Sequence, residues 1–489
     1  MAQQLDRRRF LVLGAGVVGA ASLLAACGGG AAAPVATVSG SASVSAGATT
    51  SAAAAPAAAA APAEPTASVK NPAKPRVTLI LMKFAGVGWE QDDRAADLFR
   101  KANPDVAIEV QPTVYGSMFQ KNLTLGAAGT LGDLYAGHNK WMPQLQGKGI
   151  ALDLSSHVAQ DATKMSFDDI FPSVIADAKG IGADGKLFTL PTVVHPGGNA
   201  IVLLNMDLLK KANVAPPKDN SWTINDFEQI IRQAASPKDG IFGTQVIYSS
   251  PLYADQVTRS WGSDPKVGSP DAWLLSKDGT KQQLGSAPVK TAFEWYWSLV
   301  KAGLVPTSSD APPNTPGGDF FTAGKAVSQS NIVGQYIADK HIINGKFEMQ
   351  AFLWPLGPHG YRAGCLSYNT YAIYSHTKNP DEAFALLNQL TSSDTGLWAS
   401  SQGNSEPYAR KSVWSSPDLW KAAPITKAAG EWLTSGVDPF PQPANLRFSE
   451  WLDAWSQNTS KYLDGKENWD QMFAHTQTAC QNILDEPKP

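Results

Sequence analysis

All fifteen tryptophans of this 489-residue chain lie beyond position 88, and its seven histidines are scattered singly. Indole faces suit stacking on a ligand ring. The patterns that carry catalysis are missing: the sequence has no GxSxG elbow, no HExxH, no CxxC and no Cys/His cluster. His195 has no evident nucleophile partner. A glycosidase needs two carboxylates about 5–10 Å apart, and the sequence singles out no pair. Asp92-Asp93 and Asp168-Asp169 read as solvated helix starts. A metal site needs clustered ligands, which dispersed histidines do not supply. No cofactor is expected, and the chain reads as a binder rather than an enzyme.

Two stretches match GxGxxG. Gly14 to Gly19 lies in an apolar leader with no acidic residue about 20 positions on, so it is no dinucleotide fingerprint. In Gly180 to Gly185, Asp184-Gly185 before Lys186-Leu187-Phe188 reads as a tight turn leading to a strand.

Charge and composition set the outer limits. Forty basic and 43 acidic residues give a net charge of -3, which argues against nucleic acid as a partner. The hydrophobic share of 43% suffices for cores, and the length implies more than one. Three cysteines exclude a disulfide scaffold; Cys365 and Cys480 are expected to be separately buried thiols.

The first 75 residues read as an address and a tether. Arg7-Arg8-Arg9 precedes an uncharged run from Leu11 to Ala26, whose 16 residues would span about 24 Å, short of a ~30 Å membrane core. Arg-Arg-x-Phe-Leu resembles a twin-arginine export signal. Leu24-Ala25-Ala26-Cys27-Gly28 resembles a bacterial lipobox, which implies cleavage before Cys27 and lipidation of its thiol. Residues 28–75 are then a disordered Ala/Ser/Pro tether. Within it, residues 31–68 hold 18 alanines, no aromatic residue and one charge.

From Lys70 onward, with 37 basic and 41 acidic residues, strands and helices alternate. Val77 to Met82 reads as a buried strand, and Ala95, Ala96, Leu98, Phe99 and Ala102 as a helix that Asn103-Pro104 ends. Val106, Ile108 and Val110 alternate as a strand, Tyr115 to Ala128 forms a helix, and Leu131 to Ala136 a third strand. This βαβαβ order seeds a doubly wound sheet. A second series follows Pro191: strands Ile201 to Leu204, Ile241 to Tyr248 and Ala326 to Val333, with helices Met206 to Ala212 and Pro288 to Ala302. Thr223, with Asp226 three positions on, caps a helix through Arg232. Helices are also expected over Asp381 to Leu390, Arg447 to Leu463 and Asn468 to Leu484.

The order of local features over Arg76 to Leu484 resembles the extracellular solute-binding proteins of ABC importers, in the sugar-binding group that includes maltose-binding protein. The stretches that carry the resemblance include Trp89 to Phe99, Leu125 to Asp133 followed by Trp141, Gly147 to Leu154 and Asp184 to Pro191. They continue with Leu204 to Leu209, Trp222 to Phe227, Phe320 to Val327, Trp354 to Pro358 and Lys378 to Ala383. His138-Asn139 and Gly334-Gln335-Tyr336 depart from the family pattern where ligand contacts lie. The resemblance implies a two-lobe periplasmic-binding-protein-like α/β fold, each lobe a sheet flanked by helices, with a hinge crossed more than once. The first lobe would comprise 76–190 and 365–405, and the second 200–360 and 406–489. A mono- or oligosaccharide would sit in the cleft and be delivered to an ABC permease by a lipid-anchored monomer on the outer face of the bacterial cytoplasmic membrane. A binder of another solute, or an exported glycosidase or lyase, is the alternative.

A sugar offers hydroxyls on its edge and C–H faces, so its site needs polar side chains and aromatic surfaces. Candidates in loops after strands are Trp89, Glu90, His138, Asn139 and Trp141, then His195 and Asn199 near the first hinge crossing. Tyr248 and Trp261 follow a second-lobe strand, Tyr336 follows the Ala326 strand, and Tyr368 and Asn369 mark the return crossing. Glu406 is a weaker candidate. Trp295, Trp297, Trp451 and Trp455 lie on amphipathic helices and read as packing residues.

Overall fold

The computed structural model describes residues 70–487, apart from 87–88, 181–183, 197–200, 246–250, 264–269, 308–309, 311–319, 363, 403–406, 435–439 and 442–443. The leader, Cys27, residues 28–69 of the expected tether, Asn199, Tyr248 and Glu406 lie outside the described residues. The end of the expected disordered tether needs correction: Asn71 Nδ2 donates to the Ile108 carbonyl at 3.0 Å and its Oδ1 accepts from Ile108 N–H at 2.9 Å, which holds that end on the folded chain.

The first lobe opens as β1 (Val77–Phe84), α1 (Glu90–Ala102), β2 (Val106–Thr113), α2 (Tyr115–Ala127) and β3 (Leu134–His138). Then come α3 (Met142–Gly147), α4 (Ser155–Asp161), α5 (Pro172–Ala178) and β4 (Leu190–His195). The chain crosses to β5 (Ile201–Asn205), α6 (Met206–Lys211), α7 (Ile224–Ala234), β6 (Phe242–Thr244), α8 (Pro251–Thr258) and α9 (Ala287–Lys301). The second lobe continues with β7 (Ala326–Asn331), α10 (Val333–Ile343) and β8 (Met349–Leu353). β9 (Cys365–Ile373), α11 (Pro380–Leu390) and α12 (Ser393–Gln402) return to the first lobe. The remainder is α13 (Lys411–Trp414), α14 (Pro417–Ala422), α15 (Ile425–Thr434), β10 (Phe440–Pro441), α16 (Phe448–Leu463) and α17 (Trp469–Asp485).

β1 pairs in parallel with both β2 and β3, as the βαβαβ reading requires. β9, buried at all nine positions, then pairs antiparallel to β3 and to β4, and β10 adds in parallel. The second sheet has the order β6-β7-β5-β8. Residues 407–410 cover β4: Tyr408 bridges Val193, and Arg410 bridges Ile170. The segment after residue 406 divides its contacts. α13 and α14 pack on α12 in the first lobe, α15 on β8 and α10, and α16 and α17 on α9 in the second.

Local chemistry explains most element ends. α1 carries Glu90, Asp92 and Asp93 in its first turn and Arg100 and Lys101 in its last, complementing the helix dipole. Thr223 and Asp226 form the expected capping box of α7, and Asn468 with Gln471 forms another on α17. Asp184 (φ 49°) and Gly185 (φ 73°) both take the left-handed region, the turn expected there. Trp451 and Trp455 are buried, and the indoles of Trp295 and Trp297 bond to Glu228 and to the Glu467 carbonyl, so all four pack as expected.

Other expectations need correction. The third strand begins at Leu134 rather than Leu131, because the Asp133 carboxylate accepts from Ile80 N–H and Thr377 Oγ1, holding that residue before the strand. Asp92 is not solvated: it lies on the inner face of α1, 1% exposed, accepting from the Tyr371 hydroxyl of β9 at 2.7 Å. The Ala326 strand stops at Asn331, so Tyr336 lies on α10 rather than in a loop. Within the expected strand 241–248, the structure describes a strand over Phe242–Thr244. Cys365 and Cys480 are separately buried and not disulfide-paired to each other, as expected.

Candidate ligand site at the carboxyl edge of the first sheet

β1, β3 and β4 end at Phe84, His138 and His195. β9 runs the opposite way, with His138 opposite Asn369 and His195 opposite Ser367, so its first residues lie at the same edge. In open α/β sheets this carboxyl edge is where ligands bind.

Aromatic side chains collect there. The Phe84 ring lies 4.8 Å from Trp89 and 5.3 Å from Tyr115, and Trp141 lies 5.0 Å from Tyr115. Trp141 also stacks on Phe119 at 5.4 Å and 12°. The Lys140 ammonium sits 5.5 Å from the Tyr115 ring and 5.9 Å from that of Trp141. Phe84 and Trp141 are buried, whereas Trp89, Tyr115 and Phe119 keep part of their surface in solvent. Wide apolar faces beside an ammonium suit a ring that carries polar edges.

Beneath this wall is a polar network. His138 Nδ1 accepts from Lys140 N–H at 3.4 Å, which leaves Nε2–H to face Ser367 Oγ at 3.2 Å. Burial, then Lys140 and His195, hold the His138 pKa well below its ordinary value, so the ring is neutral. Asn139 Nδ2 donates to the Leu366 carbonyl at 3.0 Å and to Asp177 Oδ2 at 3.1 Å, while its Oδ1 accepts from Tyr368 N–H. Burial pushes the Asp177 carboxyl up to about 6, against hydrogen bonds from Asn139 and Tyr368 that favour its charged form. Buried Asn369 Oδ1 has no hydrogen-bond partner among the described residues.

Of the sequence candidates, the structure brings Trp89, His138, Asn139, Trp141, His195, Tyr368 and Asn369 to this edge. Glu90 opens α1 beside them and is exposed. The polar atoms of His138 and Asn139 are engaged with the protein itself, a role that sequence alone does not distinguish from ligand contact. Trp261 packs on Trp295 with ring centroids 5.0 Å apart and is 6% exposed, so a stacking face expected for ligand is spent on the second-lobe core. Tyr336 packs with Val333 and Ile337 in a second cluster, under the Lys340 ammonium. Sequence reasoning missed Phe84, Tyr115, Lys140 and Asp177. Tyr115, opening a helix directly after a strand, carried a usable signal; Asp177, mid-chain in a short helix, carried none. No group of three or more His, Cys, Asp or Glu among the described residues could hold a metal ion.

Comparison with known proteins places these features in a family. The family model for bacterial extracellular solute-binding protein matches residues 86–396. A binding protein of Brucella abortus is 24% identical over 302 residues, 60% of this chain and 67% of its own. A relative from Deinococcus radiodurans, named as an ABC transporter-binding protein, is 23% identical over 395 residues, 78% of this chain and 87% of its own. Among solved structures, the ABC substrate-binding protein of Listeria monocytogenes in complex with cycloalternan superposes with a TM-score of 0.69 at 18% identity. The match covers 84% of this chain and 97% of that one. A maltose-bound protein of T. maritima gives 0.65 at 20% identity, covering 83% and 98%. These likenesses confirm the two-lobe periplasmic-binding-protein-like fold. The chain belongs to the bacterial extracellular solute-binding protein family.

Proposed function

We propose that this protein captures a carbohydrate or polyol between its lobes and hands it to the permease of an ABC importer, as a lipoprotein anchored through Cys27. The observation that carries the reading is the aromatic wall of Trp89, Tyr115 and Trp141 at the carboxyl edge of β1 and β3. Solved relatives support the chemistry: beyond cycloalternan and maltose, one from Agrobacterium vitis, with a TM-score of 0.66 at 19% identity, holds D-mannitol. No helix among the described residues is long and apolar enough to cross a membrane, so anchoring rests on the leader.

A thermal-shift screen with maltotriose, cycloalternan, D-mannitol and ribitol tests the reading. A sugar at 100 times its dissociation constant stabilises by about 2.7 kcal/mol. Silence across these and a wider sugar panel would remove the carbohydrate assignment, and chromatographic detection of turnover would favour an enzyme. For the anchor, Cys27→Ala is expected to move the protein from membrane to soluble fractions. Retention in the membrane would refute lipidation there.

A further inference from the structure

We propose that Asp177 contacts the captured solute, accepting hydrogen bonds from neighbouring hydroxyls of a carbohydrate or polyol. The inference rests on the carbohydrate reading above and names a residue that sequence reasoning passed over. Asp177 lies in the last turn of α5, which packs on β4. It reaches the carboxyl edge by bonding to Asn139. Asn139 is 7% exposed and Tyr368 1%, yet Asp177 is only half-buried. Of these three it keeps the most surface in solvent.

The donor and acceptor count gives the same result. A carboxylate offers about four acceptor positions, and Asn139 and Tyr368 fill two. Both ring nitrogens of His138 and the amide of Asn139 are engaged within the protein. The network thus keeps acceptor capacity to spare at Asp177. The two oxygens of one carboxylate suit a pair of adjacent hydroxyl donors. Burial raises the Asp177 pKa, so solute hydroxyls would stabilise a carboxylate that the protein alone solvates poorly.

Calorimetry at pH 7.5 with maltotriose, D-mannitol and ribitol, on the parent, Asp177→Asn and Asp177→Ala, provides the test. Any probe that the parent binds is expected to bind Asp177→Ala at least tenfold more weakly, about 1.4 kcal/mol, with Asp177→Asn between the two. Should the alanine form not fold, the near-isosteric asparagine form carries the comparison. Labelling by a soluble carbodiimide supplies a second readout: Asp177 is modified in the ligand-free parent and protected by a bound probe. Variant affinities within twofold of the parent, or an unlabelled Asp177 in the ligand-free parent, overturn this proposal alone. A parent that binds none of these sugars or polyols removes the carbohydrate reading, and this proposal with it.

Discussion

Replacing Asp92 by asparagine should stabilise the protein more at pH 8 than at pH 5. Asp92 is 1% exposed and accepts from the Tyr371 hydroxyl. Burial raises its pKa from 3.8 to about 6, with Lys83 and the Tyr371 bond opposing that rise. Because the folded-state pKa lies above the unfolded one, this group's contribution is fully present below pH 3.8 and lost as pH rises through 6. The shift corresponds to about 3 kcal/mol in all. About 1 kcal/mol of that survives at pH 5, one unit below the folded pKa, and almost none at pH 8. Asparagine keeps an acceptor for Tyr371 and does not titrate. The difference in stability between Asp92→Asn and the parent should therefore move by about 1 kcal/mol toward the variant between pH 5 and pH 8. Urea unfolding followed by circular dichroism at both pH values, with the slopes compared to exclude a changed unfolded state, measures it. An offset that is the same at both pH values would show that Asp92 does not titrate near 6 and that the account of its burial is wrong.

Other perturbations probe separate parts of the molecule. Tyr115→Ala removes a half-buried face of the aromatic wall and should weaken a bound sugar by about 1.5–3 kcal/mol; unchanged calorimetric affinity would move the site elsewhere. Arg259→Met strips the partner from Asp255, 2.5 Å away and 0% exposed, and should cost about 3–5 kcal/mol of stability. Adding Asp255→Leu should restore much of that loss in the same urea assay. Thr223→Ala breaks the α7 capping box and should cost about 1 kcal/mol. In a Cys27→Ala chain, Cys365 and Cys480 should resist a thiol reagent while folded and yield two thiols on unfolding; burial pushes the Cys480 thiol up to about 12.

The elements legible in the sequence were those whose signals are local. Val77–Phe84 is near-continuously apolar, Asn103-Pro104 halts α1, and Thr223 with Asp226 announces α7. β9 was harder to recognise. Its residues include Ser367, Asn369 and Thr370, polar types that are buried because strands on both sides cover them. The site divided in the same way. Aromatic residues beside strand ends were visible in outline, since Trp89 and Trp141 follow recognisable strands. What no sequence pattern shows is which polar atoms the fold consumes. Asn139 and a solute-binding asparagine look alike until Leu366 and Asp177 are brought beside it from distant segments. Trp261 shows the same limit, because its ring face is taken by a tryptophan on another helix.

The late return of β9 also governs how the molecule comes into being. Tyr371 meets Asp92 across 279 positions of chain, and Leu366 meets Asn139 across 227. A ribosome adding ~5–20 residues per second takes roughly 15–60 s to cover the longer gap. For most of that interval, once they have been made, the nascent β1, β2 and β3 have neither their antiparallel neighbour nor the tyrosine that reaches Asp92, and β3 presents an unpaired edge. The amino-terminal lobe, although made first, cannot be finished first. Its assembly waits for a strand encoded beyond most of the other lobe, which makes folding slow and leaves the growing chain dependent on protection from aggregation.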